Sequence, residues 1–195
     1  MPVTTPTLAV TGDPDADALL VEEPLALMIG MLLDQQVPME WAFGAPPKLK
    51  ERLGGAIDAG HIASMPLEEL EVVFKGPPAL HRFPGSMAKR TQQVCQHLVE
   101  HHDGRAEALW DDGPSAKELF ARLKALPGYG VEKSKIFMAL LAKRFGIRPD
   151  GWEEVAAPFS DEQRRSIADV DSPATLLEVR AWKKAKKAQG KGKQE

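Results

Sequence analysis

The chain is predicted to be all-α, built from about ten short helices. Three observations predict this. Apolar residues recur at three- and four-residue intervals in one segment after another, the period of a helix packed on one side. No stretch of useful length alternates apolar and polar residues as a half-buried strand does. Proline and glycine, 16 of each in 195 residues, break the chain where helices start and stop. No internal repeat of solenoid type is present.

Residues 1–14, rich in Pro and Thr, read as a flexible lead-in. Pro24 suits a first helical turn, and a helix is expected from there to about residue 36. Its run from Leu25 to Leu33 is apolar on nearly all sides, which predicts a central, buried helix. Pro38 stops it or starts the next helix, expected over residues 39–43. Pro46 and Pro47 then interrupt, and a short helix over 49–53 ends at Gly54 and Gly55.

Residues 66–74 read as a further helix, with Leu67, Leu70 and Phe74 on one side. Gly76-Pro77-Pro78 breaks the chain. A long helix is expected over 86–101, with Met87, Val94, Cys95 and Leu98 as its apolar stripe. Ser115-Ala116-Lys117-Glu118 is a capping-box pattern, and it starts a helix that points Leu119, Leu123 and Leu126 at the core. The next helix, 131–145, carries Ile136, Phe137, Leu140 and Leu141 and is closed by Gly146. A short helix over 152–156 and a last one over 173–187 complete the chain.

The length suits one ordinary domain or two small lobes and buries a proper core. Apolar content of 43% with 27% charged residues is that of a folded, soluble protein. A single cysteine, Cys95, excludes an internal disulfide and a four-cysteine zinc or iron–sulfur site. The first residues lack the basic start and long apolar run of a signal peptide, and no run is long enough to span a membrane. A cytoplasmic location follows by default. The net charge of −3 does not advertise a nucleic-acid binder, but the charge is unevenly placed. Asp13, Asp15, Asp17, Glu22 and Glu23 make the start acidic. Arg180, Lys183, Lys184, Lys186, Lys187, Lys191 and Lys193 make the end basic. Such asymmetry permits a local anion-binding surface; a solvated helix end with a frayed tail is the alternative.

The most informative stretch is Leu126-Pro127-Gly128-Tyr129-Gly130-Val131-Glu132-Lys133, between two predicted helices. Proline and two glycines turn the chain sharply. The amides that open the second helix then point outward, where they suit a phosphate oxygen. Gly128 and Gly130 let another backbone approach closely, and Lys133 and Lys135 add charge. Contacts of this kind fix register on DNA without reading sequence. A plain connection between two core helices is the alternative.

The Leu-Pro-Gly-Tyr-Gly hairpin resembles the helix-hairpin-helix motif of the base-excision DNA glycosylase (HhH-GPD) superfamily, in its endonuclease III-like branch. The resemblance extends over about residues 22–160. Leu33-Asp34-Gln35-Gln36-Val37 is similar to the family's glutamine-containing segment after a buried early helix. Phe83-Pro84-Gly85-Ser86-Met87-Ala88-Lys89-Arg90 is similar to the segment that opens a long helix in family members.

The resemblance implies a two-lobed, helix-hairpin-helix glycosylase-like fold with a central cleft. Residues 15–187 would form it as two interleaved helical lobes, with 188–195 a flexible basic tail. Double-stranded DNA with a damaged or mispaired base would lie across the cleft, its target nucleotide turned out of the stack. The implied activity is monofunctional hydrolysis of an N-glycosidic bond. A catalytically inactive module that recognises damaged or branched DNA is the alternative. A monomer that is nucleoid-associated when DNA-bound, with no metal, cofactor or iron–sulfur cluster, is implied as well.

By the resemblance, Asp150 stands at the spacing of the family's essential aspartate, about twenty residues beyond the hairpin glycines, where it would stabilise the sugar cation. Its neighbours, Arg148-Pro149-Asp150-Gly151, depart from the usual setting, and Asp150-Gly151-Trp152-Glu153 also reads as an N-cap. Gln36 or Gln35 would fill the gap left by a flipped base or touch the opposite strand; that both amides cap the helix end is the alternative. Asp34 sits at a helix C-terminus, unfavourable for an acid, and would line the base pocket or pair with a nearby Arg or Lys. Gly128, Tyr129, Gly130, Lys133 and Lys135 would bind the backbone.

Family members with lyase activity carry a lysine where this chain has Glu132. Lys133 is one residue on, turned by about 100° along a helix, and is expected to point elsewhere. AP-lyase chemistry is therefore not expected. His97 and His101, four apart, can hold a metal or form a surface cluster, and the latter is expected. Trp152 and Trp182 are expected as core anchors rather than stacking platforms.

Overall fold

The computed structural model describes residues 6–190. Its regular structure is helical throughout those residues: α1 (Pro14–Glu22), α2 (Pro24–Leu33), α3 (Met39–Arg52), α4 (Ala59–Ser64), α5 (Leu67–Lys75), α6 (Pro84–His102), α7 (Ala116–Ala125), α8 (Val131–Phe145), α9 (Trp152–Ala156) and α10 (Pro173–Ala188). Two 3-10 turns lie at Glu107–Leu109 and Ile167–Asp169. The all-α class is thus as expected, and α8 and α9 have the expected bounds.

The first helix is one the sequence did not announce. Asp13 accepts a hydrogen bond from the Asp15 amide, and Pro14 opens α1. Asp15 in the first turn suits the positive end of the helix dipole. Asp17 is buried and accepts from the amides of Val10 and Thr11. The acidic start is therefore partly a capping and turn-binding device. Leu8 and Val10 are buried in the core, so these residues of the expected lead-in are packed against the fold. The basic tail beyond residue 190 lies outside the described residues.

α2 is the buried helix that its sequence predicts: every residue from Leu25 to Leu33 is buried. It ends at Leu33 rather than near residue 36. Asp34 is its C-cap, and Gln36 takes a left-handed backbone conformation (φ 57°) that a helix cannot continue through. α3 corrects a second expectation. Pro46 and Pro47 sit inside one continuous helix instead of dividing two. Each lacks the amide for an intrahelical bond, but α3 lies along both α1 and α2, with Ala45, Pro46 and Leu49 buried. Tertiary packing overrides local propensity here. The approach to α2 is close because Gly30 has no side chain: a Cβ there would stand 2.6 Å from Phe43 Cδ1.

α4 was also unannounced; Asp58 caps it by accepting from the His61 amide. α4 and α5 pack on the long α6. Gln92 of α6 joins them by donating to the carbonyls of Ile62 and Met65. The Ser115–Glu118 capping box opens α7 as expected. α8 packs on α7, α9 and the second 3-10 turn, which Lys143 holds through Asp169 at 2.6 Å. Among the described residues no helix is long and apolar enough to cross a membrane.

Gly30→Ala tests the α2–α3 contact. A methyl at Gly30 gains helix propensity of about 1 kcal/mol. Overpacking against the buried Phe43 ring costs about 1–3 kcal/mol. Urea unfolding is expected to show a net loss of stability and an unchanged m-value; a gain would mean that α3 yields easily.

Candidate nucleic-acid interface

The hairpin between α7 and α8 is built by its two glycines in different ways. Gly128 has φ 82°, in the left-handed region, and a Cβ there would meet Leu32 Cδ1 at 2.7 Å. Position 128 therefore needs glycine for both backbone and space. Gly130 is the N-cap of α8 with φ −82°, and nothing lies within 4 Å of where its Cβ would be. Its surroundings are open. Among the described residues the amides of Gly128, Gly130 and Val131 have no hydrogen-bond partner, whereas the Tyr129 amide donates to Leu126 within the turn. The Tyr129 ring is buried, and its hydroxyl donates to the Met28 carbonyl at 2.6 Å. Burial pushes that phenol well above its ordinary range. Tyr129 therefore anchors the hairpin to α2 and can offer DNA little beyond its backbone.

The start of α8 faces the end of α2 across a cavity of about 480 Å³. Asp34, Gln35 and Gln36 line one side; Gly130, Glu132 and Lys133 line the other, with Met31 and Ile136 as apolar walls. The hairpin and the glutamine segment, 94 residues apart by number between Gln36 and Gly130, are thus brought to one site. Lys133 differs from the expectation that it would point elsewhere. Its ammonium enters this junction and donates to the carbonyls of Met31 (2.5 Å) and Leu32 (3.1 Å), with the Asp34 carbonyl at 3.4 Å. The acid at the negative end of α2 is explained by the same contact. Lys133 supplies the positive charge that the last carbonyls of a helix attract.

The two glutamines differ. The Gln35 amide is used within the protein: it donates to the Leu32 carbonyl and the Met87 sulfur, and its oxygen accepts from Arg90 at 3.2 Å. Gln36 is exposed, and its left-handed backbone costs about 1 kcal/mol. That conformation turns the chain at the cavity rim.

Asp150 is not brought to this cavity. It lies exposed in the turn before α9, between Arg148 and Trp152, which line a different cavity shared with Lys143 and Asp169. Nor is it the N-cap of α9: Gly151 holds that position, and no side chain caps the helix. Lys135, one turn into α8, donates to the Ala157 carbonyl at 2.9 Å and does not line the α2–α8 cavity. Trp152 is a core residue as expected; Trp182 is half-buried between Arg165 and Lys186. His97 lies against His101 and His102, and no group of three or more His, Cys, Asp or Glu among the described residues can hold a metal ion.

Sequence reading passed over His81, and no motif marks it. It is buried in the loop before α6. Its Nε2 lies 3.1 Å from the Leu33 carbonyl and 3.0 Å from the Gln35 carbonyl, while Nδ1 accepts the Phe83 amide at 3.0 Å. One ring thus ties the glutamine segment to the α6 entrance. Since Nδ1 accepts, the proton sits on Nε2 and the ring is neutral. Burial lowers its pKa, against the two carbonyl contacts that raise it, with Lys133 and Arg90 adding to the lowering. Just beyond, Phe83 is 43% exposed with the Arg82 guanidinium over its ring. Its ring centroid lies 6.1 Å from that of His81, and an exposed aromatic beside Arg suits a stacked base.

A family model for HhH-GPD superfamily base excision DNA repair proteins matches residues 29–189, most of the chain and all of this site. No curated protein matches the sequence closely enough to count.

The His81 arrangement carries a pH signature. The unfolded chain takes up this proton near pH 6.5, and folded His81 takes it up at lower pH. Its stabilisation is therefore complete above about pH 6.5 and is lost as pH falls from there through the folded value. His81→Gln is expected to cost about 1–2 kcal/mol at pH 7.5 and visibly less at pH 5 in urea unfolding. An equal cost at both pH values would contradict the neutral-ring assignment.

Proposed function

The chain belongs to the HhH-GPD superfamily of base excision DNA repair proteins, and from that premise we propose that it is a monofunctional DNA N-glycosylase. The observation that carries this reading is the α2–α8 cavity. It joins a glycine hairpin with outward amides, an exposed glutamine on a strained turn, and the buried carboxyl group of Asp34. The hairpin amides hold a phosphate of the damaged strand. The target base turns into the cavity, and Gln36 occupies the gap in the stack.

Breaking the N-glycosidic bond leaves positive charge on the sugar. A fixed carboxylate beside it lowers the barrier. Asp34 lines the cavity and is the carboxylate that the geometry supports best for this work. Asp150 keeps the spacing of the family's essential aspartate but sits outside the cavity, so it is the second candidate. Lys133 is occupied with the carbonyls of α2, which supports hydrolysis by water over imine chemistry. Lys135 and the Tyr129 backbone would contribute only at the edge of the phosphate contact.

The position of Asp150 also favours a second reading, in which the scaffold recognises damaged or branched DNA without releasing a base. Base release from a panel of lesion-bearing duplexes separates the two. The glycosylase reading expects release by the wild type, a fall of at least about 100-fold in the single-turnover rate for Asp34→Asn, and a smaller fall for Asp150→Asn. Salt-dependent binding with no release from any duplex would establish the second reading.

Gly130→Ala is a clean probe of the hairpin. The open space at Gly130 accepts a methyl without disturbing the fold, so thermal stability should be unchanged. The same methyl lies where a phosphate must approach, so duplex affinity should fall about ten-fold, close to 1.4 kcal/mol. Unchanged affinity would remove the hairpin from the DNA contact.

A further inference from the structure

The basic end of the chain is placed beside the glutamine segment. α10 carries Arg180, Lys183, Lys184 and Lys187 at spacings of three and four, on one face of the helix. That face borders a groove of about 420 Å³, whose opposite side is Val37, Pro38, Met39 and Glu40. Arg180 holds the helix there, with Nη1 at 2.9 Å from Glu40 Oε1. Val37 directly follows Gln36, which lines the α2–α8 cavity. The hairpin and the α10 stripe therefore flank the Gln36–Val37 turn from two sides.

We propose that this face of α10 is a second clamp for DNA phosphates, separate from the hairpin and centred on Lys183, Lys184 and Lys187. The proposal rests on the reading that the α2–α8 cavity receives DNA. Three features of the fold support it. Arg180 is neutralised by Glu40, so it acts as the fixing point while the lysines beyond it continue the stripe. Lys184 and Lys187 are exposed. From Arg180 to Lys187 the helix advances about 10 Å at 1.5 Å per residue, which matches about three nucleotides of one strand at 3.4 Å each. A protein of net charge −3 needs its cations gathered to bind a polyanion. Here the fold gathers them beside the turn that would enter the stack.

Lysine–phosphate contacts carry no base information and act through release of counterions. They are therefore read by salt dependence rather than by lesion preference. The experiment compares the full chain with the triple variant K183Q/K184Q/K187Q, titrating an undamaged duplex at several salt concentrations. Each lost phosphate contact lowers the slope of log affinity against log salt by about 0.9. The expected result is a slope smaller by about 2.7 for the three contacts, with unchanged thermal stability and unchanged preference for lesion over undamaged DNA. A triple variant with the wild-type slope would overturn the α10 clamp while leaving the cavity reading intact. A wild type without salt-dependent duplex binding would overturn the cavity reading itself, and the clamp with it. A control triple variant at exposed lysines of other helices, K48Q/K75Q/K117Q, should keep the wild-type slope; an equal fall there would show only a general charge effect and would also overturn the proposal.

Discussion

The contact on which the rest depends is the seat of the α8 N-terminus on the C-terminus of α2. Helix α2 is wrapped in apolar side chains, so its last carbonyls have little water to turn to. Lys133 meets two of them directly, and the Tyr129 hydroxyl takes the Met28 carbonyl one turn earlier. Gly128 fits against Leu32 where no other residue would. These contacts come from residues about a hundred positions later in the chain. They fix the hairpin relative to Asp34 and Gln36, and so they define the cavity. The same lysine offsets the unfavourable placement of Asp34 at a helix end. A cation that looks like a ligand for phosphate, or like a nucleophile, is thereby committed to architecture.

How far this was readable in the sequence depended on whether the signal was local. The bounds of α8 follow from Gly130 before it and Gly146 after it, and the α7 start follows from the Ser115–Glu118 box; both are encoded within a few residues. The buried character of α2 is written in its composition. The failures share a different cause. The continuity of α3 through Pro46 and Pro47 depends on packing against α1 and α2, which no local pattern reports. α1 was obscured because its Asp13 and Asp15 read first as charge and only second as caps. His81 is one histidine in a loop, and its function appears only when the carbonyls of Leu33 and Gln35 are seen to converge on it. Asp150 is a different case: counting residues gives it the spacing of the family's aspartate, and in the fold it is exposed and does not line the α2–α8 cavity.

The charge distribution makes more sense in three dimensions than as a sum. Many of the acids are engaged inside the protein. Asp17 gathers the N-terminal turn, Glu23 pairs with Lys50, and Asp169 and Asp171 pair with Lys143 and Arg144. Arg82 and Lys89 remain exposed at the start of α6, and Lys183 and Lys184 of α10 stand beside the Val37–Glu40 segment. A modest negative total is therefore compatible with a basic rim. Gly130, Val131 and Asp34 lie at the cavity, and the exposed Phe83 ring lies beside His81.

The most direct measurement is amide hydrogen exchange with and without a duplex that carries a stable abasic-site analogue. If the α2–α8 cavity receives DNA, protection should rise together in residues 33–37 and 128–133, two segments joined only by this fold. Bound DNA that leaves exchange in both segments unchanged would contradict the account.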